Sequence, residues 1–259
     1  MRTLIFRLSL GALLVGWLPM ASLAAELRVF SSGAPADVAK VLAEKFTRET
    51  GNRVAFTVAN PVGIQEKLKA GETPDIVLLP APVVDSLDKS GALRPGSRTN
   101  VARVGVGVVV RAGATQPDIS TADAVRKVLL DARSIVYPDP VGGGVTGPAL
   151  ARMMERLGIA DAVRSKITLR QAITGGVELV AKGEVELGLF NISEVLPVKG
   201  VTLVGPLPSE LQSYIVFTAA IHAGSAVAGP ATAFIRLLSA PAVREQWKAG
   251  GLESIGGGS

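Results

Sequence analysis

The sequence predicts an α/β protein with two lobes, in which two mostly parallel sheets are joined by two hinge strands. Three observations favour this fold class. Short β-branched runs alternate with amphipathic helices, which is typical of βα units. The alternation occurs twice, once on each side of the valine-rich run Val101–Arg111. A second long β run, Tyr214–His222, returns near the end, so we expect the second lobe to be inserted in the first.

The first βα units lie between residues 27 and 79. We predict strands at Leu27–Phe30, Val54–Ala59 and Asp75–Leu79. The helix between the first two strands has Pro35 in its first turn and ends at Gly51, and its apolar face consists of Val38, Val41, Leu42 and Phe46. A shorter helix, marked by Ile64 and Leu68, stops at Gly71.

The second half repeats this pattern. We expect, in order, a helix after Ser120 and Thr121, a strand at Ser134–Tyr137, a helix opening at Gly147-Pro148, a strand near Ile167–Arg170, a helix opening at Thr174, a strand at Val185–Asn191, and closing helices begun by Pro230 and Pro241. The first lobe then takes residues 25–106 and 212–253, the inserted lobe takes 107–211, and 254–259 form a flexible tail. A single doubly wound sheet would give a similar string and stays open as an alternative.

Residues 1–24 have the organisation of a cleaved secretory signal. Arg2 and Arg7 supply the positive start, Leu8–Leu18 is an apolar run of signal-peptide length, and Ser22-Leu23-Ala24 puts small residues before a cut near Ala24. A membrane anchor is the alternative, but the apolar run is short for spanning a bilayer. We expect an exported, periplasmic monomer whose mature chain does not insert into the membrane.

Composition excludes several classes of site. There is no cysteine, which rules out disulfides and thiolate metal sites, and a single histidine rules out a histidine metal cluster. We therefore expect no cofactor and no metal. Basic residues are scattered and aromatic residues make up 4%, so a nucleic-acid partner has little support. The net charge of +5 falls to about +3 without the two signal arginines, which is compatible with attracting small anions.

Four loops share one design: a strand ends, a loop rich in Gly, Ser, Thr or Pro follows, and a helix begins. They are Phe30–Pro35, Ala59–Gly63, Asp139–Pro148 and Ala172–Gly176. Helix starts carry unpaired N–H groups and the positive end of the dipole, so they attract anions without a charged side chain. Plain capping is the alternative for each loop. The ligand contacts that we expect here are Ser31, Ser32, Gly33, Asn60, Pro61, Val62, Thr146, Gly147, Thr174 and Gly175.

Four segments follow one another in a characteristic order: Arg28–Ser32, Ala70–Val77, Asp139-Pro140 and Gly183–Gly188. Together they resemble the periplasmic molybdate-binding proteins of ABC importers, which have the type 2 periplasmic binding fold. The resemblance covers nearly the whole mature chain. It implies a bilobal receptor whose loops clasp a tetrahedral oxyanion through hydroxyl and backbone N–H groups and deliver it to a membrane permease.

The anion-contacting positions of that family are only partly present in this sequence. The family's first-loop serine falls on about Ala34, its second-loop serine on about Pro61, its alanine-glycine pair on Thr146-Gly147, its fourth-loop valine near Thr174 and its tyrosine on about Asn191. The backbone donors of Thr146-Gly147 are kept, while both serines and the tyrosine are lost. These departures argue against molybdate as the ligand.

A second resemblance rests on Gly96–Arg98, Arg103 and Val201–Pro208. These segments are similar to the exported aconitate isomerases, which have the same fold. Arg103, ahead of the hinge strand, and Arg170, at a strand end before the fourth loop, could each hold a carboxylate through a bidentate contact or could be surface arginines.

Three functions stay open at this point. The first is a receptor that hands a small anion, oxyanion or carboxylate, to an ABC permease. The second is an isomerase that moves a proton on an unsaturated polycarboxylate; Arg98, Arg103 and Arg170 could supply cations, and Asp139 or Glu194 the base. The third is a sensory role for the same receptor. We expect the lone histidine, His222, to be structural.

Overall fold

The computed structural model describes residues 24–141, 144–171 and 175–256. The predicted signal up to residue 23, Thr174 of the fourth loop and the last three residues of the predicted tail lie outside these ranges. The strands are β1 (Glu26–Ser31), β2 (Arg53–Val58), β3 (Ile76–Pro80), β4 (Thr99–Val104), β5 (Val106–Arg111), β6 (Ile135–Pro138), β7 (Ile167–Arg170), β8 (Leu187–Asn191), β9 (Val201–Pro206), β10 (Ile215–Ile221) and β11 (Glu253–Ser254). The helices are α1 (Gly33–Thr50), α2 (Pro61–Lys69), α3 (Ala81–Lys89), α4 (Ala122–Asp131), α5 (Thr146–Arg156), α6 (Ala160–Val163), α7 (Gly176–Lys182), α8 (Ile192–Val195), α9 (Ala228–Ser239) and α10 (Arg244–Ala249).

Two separate sheets form the cores of two lobes. The first has the strand order β11-β4-β10-β3-β1-β2 and the second β7-β6-β8-β5-β9. Pairs within βα units are parallel, whereas β10 runs antiparallel to β3 and β4, and β5 runs antiparallel to β8 and β9. The two-lobed α/β fold class is confirmed, but its two sheets are mixed rather than mostly parallel as the sequence predicted. The sheets are mixed because a chain that re-enters a sheet at the edge where its parallel strands end must run in the reverse direction.

Helices cover both faces of each sheet. In the first lobe α1, α9 and α10 bury one face, where Trp247 and Phe234 are fully enclosed and the Trp247 Nε1–H donates to the Leu238 carbonyl at 2.9 Å. The other face packs against α2 and α3. In the second lobe α4 and α5 cover one face around Met153, and α7 and α8 cover the other around Phe190. Each lobe therefore has its own apolar interior.

The long run Val101–Arg111 is two strands rather than the single strand that the sequence predicted. β4 belongs to the first sheet and β5 to the second, and Gly105 alone lies between them. The return crossing is the stretch 207–214, which ends before β10 begins. An extended run of valines is compatible with one strand or two, because hydrophobic content does not say in which sheet each half pairs.

Gln212 holds the two crossings together. Its Oε1 accepts from the Val106 N–H at 2.8 Å, and its Nε2 donates to the carbonyls of Val106 (3.0 Å) and Leu207 (3.3 Å). The Gly105 carbonyl accepts from the Ile192 N–H at 3.0 Å, and a Cβ on Gly105 would stand 3.0 Å from the Gln212 amide. The crossing is therefore packed and hydrogen-bonded on several sides.

The remaining predicted strands and helices are present, with small shifts at their ends. The structure adds α3 and β9, which the sequence pattern did not predict, and several very short elements, among them a 3₁₀ turn at Arg164–Lys166. α6 and α8 have four residues each and β11 has two, too few for a hydrophobic period to be read. Within the described ranges, no helix combines the length and apolarity needed to cross a membrane.

The first prediction concerns Gly251, which touches the second lobe. Gly251 has a φ of +77°, and a Cβ there would lie 2.8 Å from the backbone nitrogen of Ser193. Gly91 has nearly the same φ, +76°, but open space around it. We expect Gly251→Ala to lower the free energy of unfolding by about 1–3 kcal/mol more than Gly91→Ala, because only the former adds a backbone clash to the left-handed strain. Urea titrations of both variants measure this difference. Equal losses of unfolding free energy in the two variants would mean that the backbone at Ser193 shifts to accommodate the added methyl group at little energetic cost.

Candidate functional site

One edge of the first sheet collects its strand ends. β1, β3 and β4 finish there and β10 starts there, as the pairings Ser31 with Leu78, Phe217 with Pro80 and Ile215 with Val104 establish. α1 and α2 begin at the same edge, directly after β1 and β2. Carboxyl ends of parallel strands are where open α/β sheets place their ligands.

The second sheet has the equivalent edge. β6, β7 and β8 end there and β5 begins there, with Asn191 opposite Val106 and Pro138 opposite Arg170. α5 and α7 begin close to this edge. Since β4 ends at one edge, β5 begins at the other and Gly105 alone joins them, the two edges adjoin at the crossing. The helix starts of both lobes thus border a common cleft.

The serines of the first loop are buried and engaged with the backbone. The Ser31 Oγ donates to the Ser32 carbonyl at 2.9 Å, and the Ser32 Oγ donates to the Leu78 carbonyl at 3.4 Å. Gly33 is the first residue of α1, and a Cβ placed on it would meet no atom within 4 Å beyond its chain neighbours and the first turn of its own helix, so there is open space beside this residue. The donors that this loop can offer a ligand are therefore chiefly the N–H groups of the first turn of α1.

The second loop has helix-capping geometry. The Asn60 Oδ1 accepts from the Gly63 N–H at 2.8 Å, and Pro61 occupies the first turn of α2. Val62 is 53% exposed, an unusual fraction for a valine. It belongs to a set of exposed apolar side chains at the cleft ends of strands and helices: Val58, Val62, Val145 and Leu169. This apolar rim is present in both lobes.

The third loop is tied to β8 through polar side chains. The Thr146 Oγ1 donates to the Asn191 Oδ1 at 2.9 Å, and the Asn191 Nδ2 donates to the Glu194 Oε1 at 2.8 Å. Thr146 and Asn191 are buried, and Glu194 is half-buried. Gly147 has no room for a side chain, because a Cβ would stand 2.5 Å from the Pro138 carbonyl oxygen. The loop therefore approaches the sheet edge closely, and we name Thr146, Asn191 and Glu194 the polar chain.

The fourth loop is described only in part. Arg170, the last residue of β7, is exposed, and its carbonyl accepts from the Asp139 N–H at 2.6 Å. Gly175 has a φ of +79° just before α7. Thr174 lies outside the described residues. The Asp139 Oδ1 accepts from the Val141 N–H at 2.8 Å, so this carboxylate orders its own turn.

Arg103 reaches the crossing but is engaged there. Its Nε and Nη2 lie 2.8 and 2.6 Å from the Glu253 Oε2, and its guanidinium carbon stands 3.9 Å from the centre of the Tyr214 ring. Arg98 precedes β4 at the edge of the sheet away from the cleft and pairs with Asp85 and Asp88. Of the three arginines that the sequence singled out, Arg170 alone is both at the cleft edge and without a side-chain partner among the described residues.

His222 also lies away from the cleft. It follows β10 at the far edge, and its Nδ1 accepts from the Gly224 N–H at 3.2 Å. Burial lowers the pKa of His222, and the nearby Asp75 carboxylate opposes that shift in part. No cluster of three or more metal-binding side chains occurs within the described residues.

Glu194 is the ionisable group of the cleft with the most perturbed environment. Burial raises the pKa of Glu194 from an ordinary 4.5 to about 7, and the hydrogen bond from Asn191 opposes this shift only in part. In the sequence Glu194 was one of two acids near the loops, with no local signal for its burial. Gln212, which bonds to the crossing, and Gly251, which touches Ser193, are not marked by any local motif either.

The raised pKa makes stability depend on pH. The folded state holds a proton on Glu194 between about pH 4.5 and 7 that the unfolded state has released, so the free energy of unfolding falls as the pH rises through this window. At about 1.36 kcal/mol per unit, the loss is about 3 kcal/mol at most. We expect Glu194→Gln to remove this part of the pH dependence, whereas Glu155→Gln, an exposed control, keeps it. Urea titrations at pH 4.5, 6 and 8 measure the effect; parallel profiles for all three proteins would contradict it.

Comparison with known proteins agrees with this architecture. A family model described as bacterial extracellular solute-binding protein matches residues 27–253. An aconitate isomerase from Pseudomonas sp is 29% identical over 258 residues, with 96% of each chain covered. The molybdate-binding protein ModA from Azotobacter vinelandii is 27% identical over 186 residues, with 71% of each chain covered.

Solved structures share the fold at low sequence identity. A substrate-binding domain attributed to a molybdenum ABC transporter from Clostridium difficile superposes with a TM-score of 0.79 and 13% identity, covering 90% of this chain and 100% of that one. The Azotobacter vinelandii periplasmic molybdate-binding protein gives a TM-score of 0.67 at 21% identity, covering 87% and 98%. The family match extends from β1 to the start of β11, and this chain therefore belongs to the bacterial extracellular solute-binding proteins.

Proposed function

We propose that this protein binds a small anion, and specifically an organic carboxylate, in the cleft between its lobes. The observation that carries the proposal is that α1, α2, α5 and α7 all begin at the two adjoining sheet edges. Helix starts supply N–H donors and a positive potential without a bound counter-charge. Arg170 adds one exposed guanidinium at the same place.

Three features favour a carboxylate over molybdate or another bare oxyanion. The hydroxyls of Ser31 and Ser32 donate to backbone carbonyls, and Pro61 has neither a hydroxyl nor an N–H that could donate to a ligand. The apolar rim suits a ligand with a carbon skeleton, since Val62, Val145 and Leu169 are 53%, 48% and 41% exposed. A relative that is similar along 96% of this chain is named for an organic acid.

The lobes and the ligand contacts belong to the same proposal. We take the first lobe as residues 24–104 with 215–256 and the second as 106–206, and we expect them to close about Gly105 and the stretch 207–214. Contacts with the ligand come from the predicted loop positions, chiefly Gly33, Asn60, Val62, Thr146, Gly147, Arg170, Gly175 and Asn191. Arg103 stands at the crossing as a support for Tyr214 and Glu253.

Export and partnership belong to the same proposal, which the family and the first residues of the sequence support. Residues 1–24 act as a cleaved signal, so the mature chain works in the periplasm. Delivery of the anion to an ABC permease is the role expected for a solute-binding protein of this type. We expect the mature chain to act as a monomer.

A second function, isomerisation of an unsaturated polycarboxylate, is favoured by one specific observation. Glu194 combines burial, a pKa of about 7 and a fixed hydrogen bond at the cleft edge, which are properties of an acid–base residue. The relative named aconitate isomerase supports the same function. Binding and isomerisation use one cleft and are not exclusive.

A ligand screen tests the proposed binding. We expect citrate or an aconitate at 100 times its dissociation constant to add about 2.7 kcal/mol to the free energy of unfolding. For a chain of this size that corresponds to a rise in melting temperature of roughly 5–10 °C. Differential scanning fluorimetry of the mature protein with molybdate, tungstate, sulfate, citrate, and cis- and trans-aconitate measures it. A shift with molybdate alone would refute the choice of carboxylate, and no shift with any anion would refute the function.

Arg170 provides a mutational test of the carboxylate contact. We expect Arg170→Gln to weaken binding of the best carboxylate by about 10-fold or more, because a guanidinium–carboxylate pair is lost, with little change in stability. Arg156→Gln is the matched control, since Arg156 is also exposed but ends α5 away from the cleft. Isothermal titration calorimetry measures both affinities. Equal affinities in the two variants would remove Arg170 from the site.

A further inference from the structure

The polar chain gives Glu194 a fixed orientation. Asn191 receives a hydrogen bond from the Thr146 hydroxyl on its Oδ1 and donates from its Nδ2 to the Glu194 Oε1, so the two contacts select one orientation of the amide. One carboxyl oxygen is thereby held, while the described residues supply no hydrogen bond to the other. The polar chain runs from the start of α5, in the third ligand loop, to α8, whose first residue donates a hydrogen bond to Gly105 at the crossing.

Glu194 has no cationic partner in the described part of the chain. α8 packs against β5, β8 and β9. Neither β8 nor β9 carries an ionisable side chain, and the single one on β5, Arg111, lies at the end remote from the cleft. On the neighbouring β4 and β11, Arg103 and Glu253 pair with each other. Asp139, at the start of the third loop, is held in its own turn, and Lys199, after α8, is exposed on the outside.

These surroundings leave a carboxyl that can change its protonation state at neutral pH. A surface glutamate is already ionised there and is a weak base, whereas a glutamate paired with arginine cannot take up a proton. Burial without a cation puts the pKa of Glu194 at about 7, where a carboxyl group is most effective in both accepting and returning a proton. The other acid near the loops, Asp139, is instead engaged in its own turn.

From this geometry we propose that Glu194 is the acid–base residue of the cleft and that the substrate is an unsaturated di- or tricarboxylate with an acidic allylic C–H bond. This assignment rests on the proposed carboxylate-binding function. The ionised carboxyl takes the allylic proton, the C–H bond breaks, and the electron pair delocalises over the double bond and the adjoining carboxylate. The same carboxyl then returns the proton to the far carbon, forming a new C–H bond as the double bond moves. No oxidant, reductant or co-reactant is required.

The rest of the cleft fits this reaction. The developing negative charge would be stabilised by Arg170 and by the N–H groups at the starts of α1 and α5, which are aimed at the cleft in advance. Besides its expected ligand contact, Asn191 acts as a positioning residue, because its amide fixes the orientation of the Glu194 carboxyl. The site relies on neutral N–H donors and a single arginine. The Glu194 carboxyl is therefore not in an ion pair that would lower the pKa of the base.

Hydrogen–deuterium exchange tests the assignment. Mature protein is mixed with cis- or trans-aconitate in D₂O, and proton NMR follows deuterium incorporation and interconversion, while calorimetry follows binding. We expect exchange with the unsubstituted protein, a loss of about 100-fold or more in Glu194→Gln, and affinity within a few-fold in both. Glu155→Gln is the exposed carboxyl control and should exchange at the full rate. Glu194→Asp should retain measurable exchange with a shifted pH profile, and it provides a reading should Glu194→Gln fold poorly.

Each outcome bears on a different statement. Binding of an aconitate without any exchange overturns the acid–base role of Glu194 while leaving the binding function intact. Exchange that is undiminished in Glu194→Gln assigns the proton transfer elsewhere and likewise overturns it. The absence of binding by any anion overturns the proposed function itself. A purely structural role for Glu194 would change stability but would leave the pH profile of exchange in Glu194→Asp where it is in the unsubstituted protein.

Discussion

The architecture depends on the short crossing at Gly105, where the backbone leaves one sheet and enters the other without an intervening loop. Three hydrogen bonds with Gln212, one accepted and two donated by its amide, and one from the Ile192 N–H satisfy the backbone around it. Because backbone polar groups that are hidden from water must be paired, this set of contacts stabilises the crossing. The two strand-end edges are brought together by the same crossing, so the cleft is a direct consequence of it.

The recognition that we propose for this cleft relies on dipoles more than on formal charges. The serine hydroxyls that look like ligand donors in the sequence are bonded to carbonyls instead, and they serve to shape the start of α1. What remains for an anion is backbone N–H, one exposed arginine and an apolar rim. Such a site can hold a carboxylate and its carbon skeleton together, since the polar contacts orient one end and the valines cover the other.

The environment of Glu194 is unfavourable for the stability of the fold. A carboxyl group without a cation in a low-polarity setting destabilises the folded state at neutral pH, in contrast with the engaged pair of Arg103 and Glu253 nearby. Perturbed groups of this kind concentrate at functional sites because proton transfer needs them. The polar chain through Asn191 to Thr146 connects that group mechanically to the third ligand loop.

The sequence by itself determined most strands and helices and the four loops at helix starts, because hydrophobic period and Gly/Pro punctuation are local properties. It favoured two lobes but left a single doubly wound sheet open. It could not divide Val101–Arg111 between two sheets, since strand pairing depends on residues far along the chain. It did not indicate that Arg103 pairs with Glu253 and lies over the Tyr214 ring, or that Arg98 lies at the sheet edge away from the cleft. The burial of Glu194 was decided by tertiary structure alone: its neighbours in the sequence are ordinary, and only the packing of α8 against β5, β8 and β9 shields it from water.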